Sequence, residues 1–167
     1  MKNFKFILGL GIAMMNMVYG QELKSPNGNF VMDFSLYKDG KPTYQLRYKG
    51  KDVVKPSHLG FEFKTKLKEM DFAVQDRVED DRAKDIANFL SGFTIIDTKS
   101  TSFDETWKPV WGEVDKIRNN FNELAVTVSQ PKTDRQMIIR FRMFDDGLGF
   151  RYEFPEQKNL KYFVVKE

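Results

Sequence analysis

The chain has 167 residues, 41% of them hydrophobic and 31% charged, which is the composition of one globular domain and excludes intrinsic disorder. Its formal charge is +3, and the basic residues alternate with acids instead of forming a block, so nothing points to a nucleic-acid partner. There is no cysteine and a single histidine, His58, which removes disulfides, thiolate metal sites, cysteine nucleophiles and any histidine-based metal cluster.

The first element in chain order is a leader. "MKNFKFILGLGIAMMNMVYGQ" opens with Lys2 and Lys5, continues with an apolar run from Phe6 to Val18, and closes on small residues at Val18 and Gly20. This is the three-part pattern of a secretory signal peptide, and the apolar run is short for a membrane span. Residues 1–20 are therefore expected to be removed by cleavage between Gly20 and Gln21. The exported, periplasmic remainder has no membrane segment. Two of the positive charges leave with the leader, taking the net charge from +3 to +1.

The mature chain reads as strands. In "NFVMDFSLY" the residues Phe30, Met32, Phe34 and Leu36 share one face, the period-two signature of a half-buried strand. Asp39-Gly40 then signals a hairpin, because both residues tolerate positive φ. "PTYQLRYK" alternates through Tyr44, Leu46 and Tyr48, "DVVK" is a short strand, and "LGFEFK" aligns Leu59, Phe61 and Phe63. Residues 65–90 differ, with many charges and few β-branched residues. Ala83, Ile86, Ala87 and Leu90 are spaced for one short helix, with the acids of "EDDR" (79–82) at its start. That acid cluster lacks the glycine and the spacing of a calcium loop and reads as a solvated helix start. Strands resume at "FTIIDTKSTSF" and "NELAVTVSQ". The clearest hairpin follows, with Met137, Ile139, Phe141 and Met143 on one arm, a turn at Asp146-Gly147, and Leu148, Phe150, Tyr152 and Phe154 on the other. "LKYFVVKE" is expected to start a further strand, so the chain reads as part of a longer protein. Antiparallel strands with turns every ~8–12 residues predict an all-β sandwich with one short helix.

Five ordered blocks, "LKSPNGNFVMDF", "PTYQLRYKGKDVVKPSHLGFEF", "FDETWKPVWGE", "IRNNFNELAVTV" and "FRMFDDGLGFRYEFP", resemble the N-terminal domain of glycoside hydrolase family 97, in particular its periplasmic α-glucosidase members. The likeness runs from about Leu23 to Glu167 and is weakest over residues 65–90. It implies a galactose-mutarotase-like β-super-sandwich, incomplete at its C-terminal end, over residues 21–167. It also implies a downstream (β/α)8 catalytic barrel on the same polypeptide that acts on α-linked oligosaccharides, glucosides or galactosides. The acid, the base or nucleophile, and the ligands of a calcium ion are then expected outside this chain, which should catalyse nothing alone.

Several side chains still merit a functional reading. "FDETWKPVWGE" holds both tryptophans of the chain, Trp107 and Trp111. With Pro109 and Gly112 it is expected to leave the sheet as a buttress against the catalytic domain, or to offer flat rings to sugar faces. Glu113 and Arg118 are expected to pair across it or to reach the barrel. Asp104, Glu105 and Glu113 could supply a carboxylate pair of the kind glycoside hydrolysis needs, but they read as solvated loop acids. His58 stands alone, without the carboxylate a mutarotase would require. Arg140, Arg142 and Arg151 read as the polar outer face of the best hairpin. The competing reading of the whole chain is a stand-alone carbohydrate-binding sandwich.

Overall fold

The computed structural model describes residues 20–63, 88–160 and 163–166. The described residues form ten strands: β1 (Gln21–Lys24), β2 (Phe30–Tyr37), β3 (Lys41–Tyr48), β4 (Lys51–His58), β5 (Phe61–Glu62), β6 (Asn88–Phe89), β7 (Thr94–Trp107), β8 (Ile117–Gln130), β9 (Arg135–Met143) and β10 (Leu148–Glu153). They assemble into two four-stranded antiparallel sheets, ordered β1-β2-β3-β4 and β10-β9-β8-β7, with β5 and β6 as a small third pair. The result is the all-β sandwich expected from the alternation.

The alternation places the core. Met32 and Phe34 of the first sheet meet Leu124, Val126, Val128, Met137, Ile139, Phe141 and Met143 of the second, all essentially removed from water. Every second residue of β9 points inward because its partner β8 is matched to it without a slip, Val126 opposite Ile139 and Leu124 opposite Phe141. Phe141 carries the contact between sheets, its ring 5.6 Å from Phe34 and 6.3 Å from Tyr44. A second aromatic cluster fills the end of the sandwich, where Phe61, Phe63, Phe89, Phe93 and Phe154 adjoin. Arg135 is buried at that end. Its guanidinium lies over Phe89, and it donates to the Gln130 side-chain oxygen at 2.8 Å.

The connection between β2 and β3 is a single 3-10 turn over Lys38–Gly40. Its carbonyls receive the two residues just ahead of β7, Gly92 N–H donating to Asp39 O at 2.7 Å and Phe93 N–H to Gly40 O at 3.1 Å. On the opposite side the Gly60 N–H donates to the Tyr152 hydroxyl, tying the β4–β5 turn to the second sheet.

Two expectations change. Ala83, Ile86 and Ala87 of the expected helix, and the "EDDR" acids, lie outside the described residues. At its described end Asn88–Phe89 is strand β6 and Leu90 sits in a bend, because Phe89 is drawn into the aromatic cluster opposite Phe61. "LKYFVVKE" forms no strand among its described residues. It makes one bridge, Val165 to Phe63, and one further backbone bond, Lys166 N–H to Glu62 O, since β5 is only two residues long and offers no more edge. Of the expected leader only Gly20 is described; it is exposed, and β1 begins at the next residue.

Candidate functional site: the β7–β8 arm

β7 and β8 are each 14 residues long, the longest strands among the described residues. β9 covers β8 only from Asn122 onward. Five ladder pairs, from Phe103 opposite Phe121 to Trp107 opposite Ile117, therefore run past the rest of the sheet as a two-stranded arm. At ~3.4 Å per residue it projects by roughly 17 Å before the chain turns back through residues 108–116. The expectation that "FDETWKPVWGE" leaves the sheet is corrected in part. Its first half, through Trp107, stays in the ladder, because the β8 partner continues alongside. Pro109 and Gly112 (φ 136°) fall in the tip, where no partner demands an N–H or a regular φ.

The arm carries an apolar tip. Val110 is 99% exposed and Trp111 88%, with Val114, Trp107 and Ile117 also open to solvent. The register puts Phe103, Glu105, Trp107, Ile117 and Phe121 on one face and Asp104, Thr106 and Arg118 on the other. At the base of the first face Phe121 is buried between Phe103 and Phe144 and beneath the Arg142 guanidinium.

The charged candidates pair differently from expectation. Arg118 does not bond to Glu113. It takes Asp104 in a two-pronged grip, Nε to Oδ1 at 2.8 Å and Nη2 to Oδ2 at 2.7 Å, because both lie on one face of the ladder two positions apart. These hydrogen bonds hold the Asp104 carboxyl below its ordinary value and raise the Arg118 guanidinium. The grip favours the ionised form of Asp104, which is the wrong form for a general acid. Glu105 and Glu113 are exposed, the first on the arm and the second in its tip. Lys108 and Asp115 pair across the tip at 3.0 Å. His58 ends β4, its Nδ1 2.9 Å from the Thr43 hydroxyl and its ring near Tyr37, a structural setting.

A second polar constellation lies on the outer face of the second sheet, where Arg140, Arg142 and Arg151 were expected. Arg140 donates to Glu123 and, through Nε and Nη2, to Glu153 at 2.7 and 2.8 Å. Arg142 donates to Glu123 at 2.7 Å and Arg151 to Glu153 at 2.6 Å. Burial raises the Glu123 carboxyl, but the bonds from Arg142 and Arg140 outweigh it and the net shift is downward. Glu123 and Arg140 border a shallow depression of about 200 Å³ together with Asp97, Lys99 and Thr101 of β7. Reading residues singly does not find Glu123; its odd position on β8, opposite Arg142, is the signal that does. Arg135 was missed in the same way, since it shares the parity of Met137 and Ile139. Among the described residues no three carboxylates or histidines gather as metal ligands.

The sequence matches the family described as Glycosyl-hydrolase 97 N-terminal over residues 23–167. Among solved structures it is similar to a glycoside hydrolase family 97 enzyme from Pseudoalteromonas sp. strain K8, solved as a variant in complex with panose and also in complex with acarbose. Each superposes at TM-score 0.69 with 30% identity, over 87% of this chain and 19% of that chain. A β-arabinopyranosidase shares the fold at TM-score 0.66 and 19% identity, over 87% of this chain and 20% of that chain. This chain thus spans about one fifth of the length of the solved enzymes it resembles.

Proposed function

Because the chain belongs to glycoside hydrolase family 97 through that family's N-terminal domain, we propose that it is the accessory β-sandwich of an exported enzyme acting on α-glucosides or α-galactosides. The observation that carries this reading is the family match from residue 23 to residue 167, which takes in all but the first two residues after the expected leader. In this proposal the (β/α)8 barrel on the same polypeptide does the chemistry, and the sandwich supports it and borders the mouth of its active site. Support for export comes from the leader pattern and from Gln21 opening β1, so a cut after Gly20 leaves β1 whole. No helix among the described residues is long and apolar enough to cross a membrane. We place the mature protein in the periplasm.

Calcium belongs, in this reading, to the portion outside this chain. Glu123, Glu153 and Asp104 are already engaged by arginine and no described carboxylate cluster fits the ion.

The exposure of Trp111 favours a second reading, a free carbohydrate-binding sandwich, since a bare indole suits the C–H face of a pyranose. Two measurements separate them. Purified residues 21–167, incubated with aryl α-glucoside and α-galactoside, should give no turnover. Turnover that survives purification and is lost on Glu105→Gln or Glu113→Gln overturns the accessory reading. The reading frame downstream should continue into a barrel. A stop there, with panose retained by the isolated chain, supports the free binding module.

A further inference from the structure

We infer that the β7–β8 arm is a docking tongue, with Trp107, Val110, Trp111, Val114 and Ile117 seated in an apolar recess of the catalytic portion of the same enzyme. This rests on the accessory reading above and names the contact that would realise it.

Four observations carry it. Among the described residues nothing covers the tip of the arm, and it concentrates large apolar side chains, with Val110 99% exposed and Trp111 88%. Contiguous exposed apolar surface on a projecting element marks an interaction site, and tryptophan is the residue most enriched among energetic anchors of interfaces. Four of the charged residues of the arm pair with one another, Asp104 with Arg118 and Lys108 with Asp115. Over residues 103–121 four acids (Asp104, Glu105, Glu113, Asp115) oppose three bases (Lys108, Lys116, Arg118), so electrostatics selects no polyanion or strongly charged partner. Val110, Val114 and Ile117 offer no hydrogen-bonding group, whereas a sugar subsite needs polar partners beside its flat rings. Finally, four fifths of the length of the solved family 97 enzyme lies outside the matched region, and an element that reaches beyond its own sandwich is placed to meet that bulk.

The chain reports on this contact by itself, because its two tryptophans, Trp107 and Trp111, are both on the arm. Indole emission and acrylamide quenching of the full chain should show both rings wet. Three titrations follow: the catalytic portion of its own enzyme supplied in trans, panose, and the chain alone at rising concentration. The catalytic portion should shift emission to the blue and protect it from quencher. Val110→Asp should weaken that association at least about tenfold, while Lys51→Asp on the far edge of the other sheet should leave it unchanged. Association seen by sedimentation with no change in emission overturns the tongue and leaves the accessory reading standing. A blue shift with panose makes the tip a sugar platform, and one with the chain alone makes it a self-association site; either overturns the inference. If the catalytic portion does not associate at all, tongue and accessory role fall together.

Discussion

Glu153 shows how much one surface carboxylate can be asked to do. Arg140 and Arg151 both bond to it, Arg140 through two nitrogens. The Arg140 bonds come first among the causes that hold its carboxyl at about 2, against an ordinary value of 4.5. A carboxylate whose folded pKa is depressed adds stability above its unfolded pKa and loses it as the pH falls toward the folded one. The window here runs from pH 4.5 down to 2. With the side chain about a quarter exposed, screening limits the contribution to about 2 kcal/mol. Glu153→Gln should therefore lower stability by about that amount at pH 7, and the gap to the unmodified chain should close as pH approaches 2. Urea titrations across that range measure it. A gap of constant size would mean that the arginines act on the face in some other way.

The β2–β3 turn is the element most dependent on one residue. Gly40 sits at φ 67°, and a Cβ there would come 2.3 Å from the Phe93 carbonyl oxygen and 2.6 Å from its nitrogen, both rigid backbone. Gly28 has a similar φ of 73° with nothing within 4 Å. Gly40→Ala should cost about 2–4 kcal/mol, since backbone must move as well as strain. Gly28→Ala should cost only about 1 kcal/mol, the price of the left-handed conformation. Urea midpoints of the two variants give the comparison; equal losses would show that Phe93 yields freely. Hairpins of this kind were legible in the sequence, since Asp39-Gly40 and the strict alternation of β2, β3 and β9 mark turn and face together. β7 was only half legible. Its residues Thr98, Ser100 and Ser102 alternate with no apolar set, and it is a strand through its ladder to β8, a long-range fact that no local period reports. For the same reason Trp107 looked like turn and proved to be ladder. The Asp104–Arg118 pair, 14 residues apart, needs that register before it can be seen.

At the scale of the molecule, Phe141 lies where the two sheets meet. Phe141 touches Phe34 and Tyr44 of the first and Phe150 of its own. Phe141→Ala should cost about 3–5 kcal/mol and loosen both sheets at once. Near-ultraviolet circular dichroism, fed by aromatic packing, should fall together with the urea midpoint; a loss confined to one of the two signals would mean that the sheets are stabilised separately. The sheets are not equal at their borders. β4 is an outer strand broken by register shifts and defended by Lys51, Lys55 and Pro56. β7 is an outer strand of 14 residues with no proline, and among the described residues nothing pairs with its far side. Lysine, proline and bulges are the devices that stop strangers from adding to a sheet. β4 gathers two lysines, a proline and two register shifts within eight residues, whereas β7 has one lysine, Lys99, and one register shift in 14. In a concentrated solution a stranger strand would therefore add more readily along β7, the border of the second sheet, than along β4, the border of the first, and it would do so on the side that carries the arm.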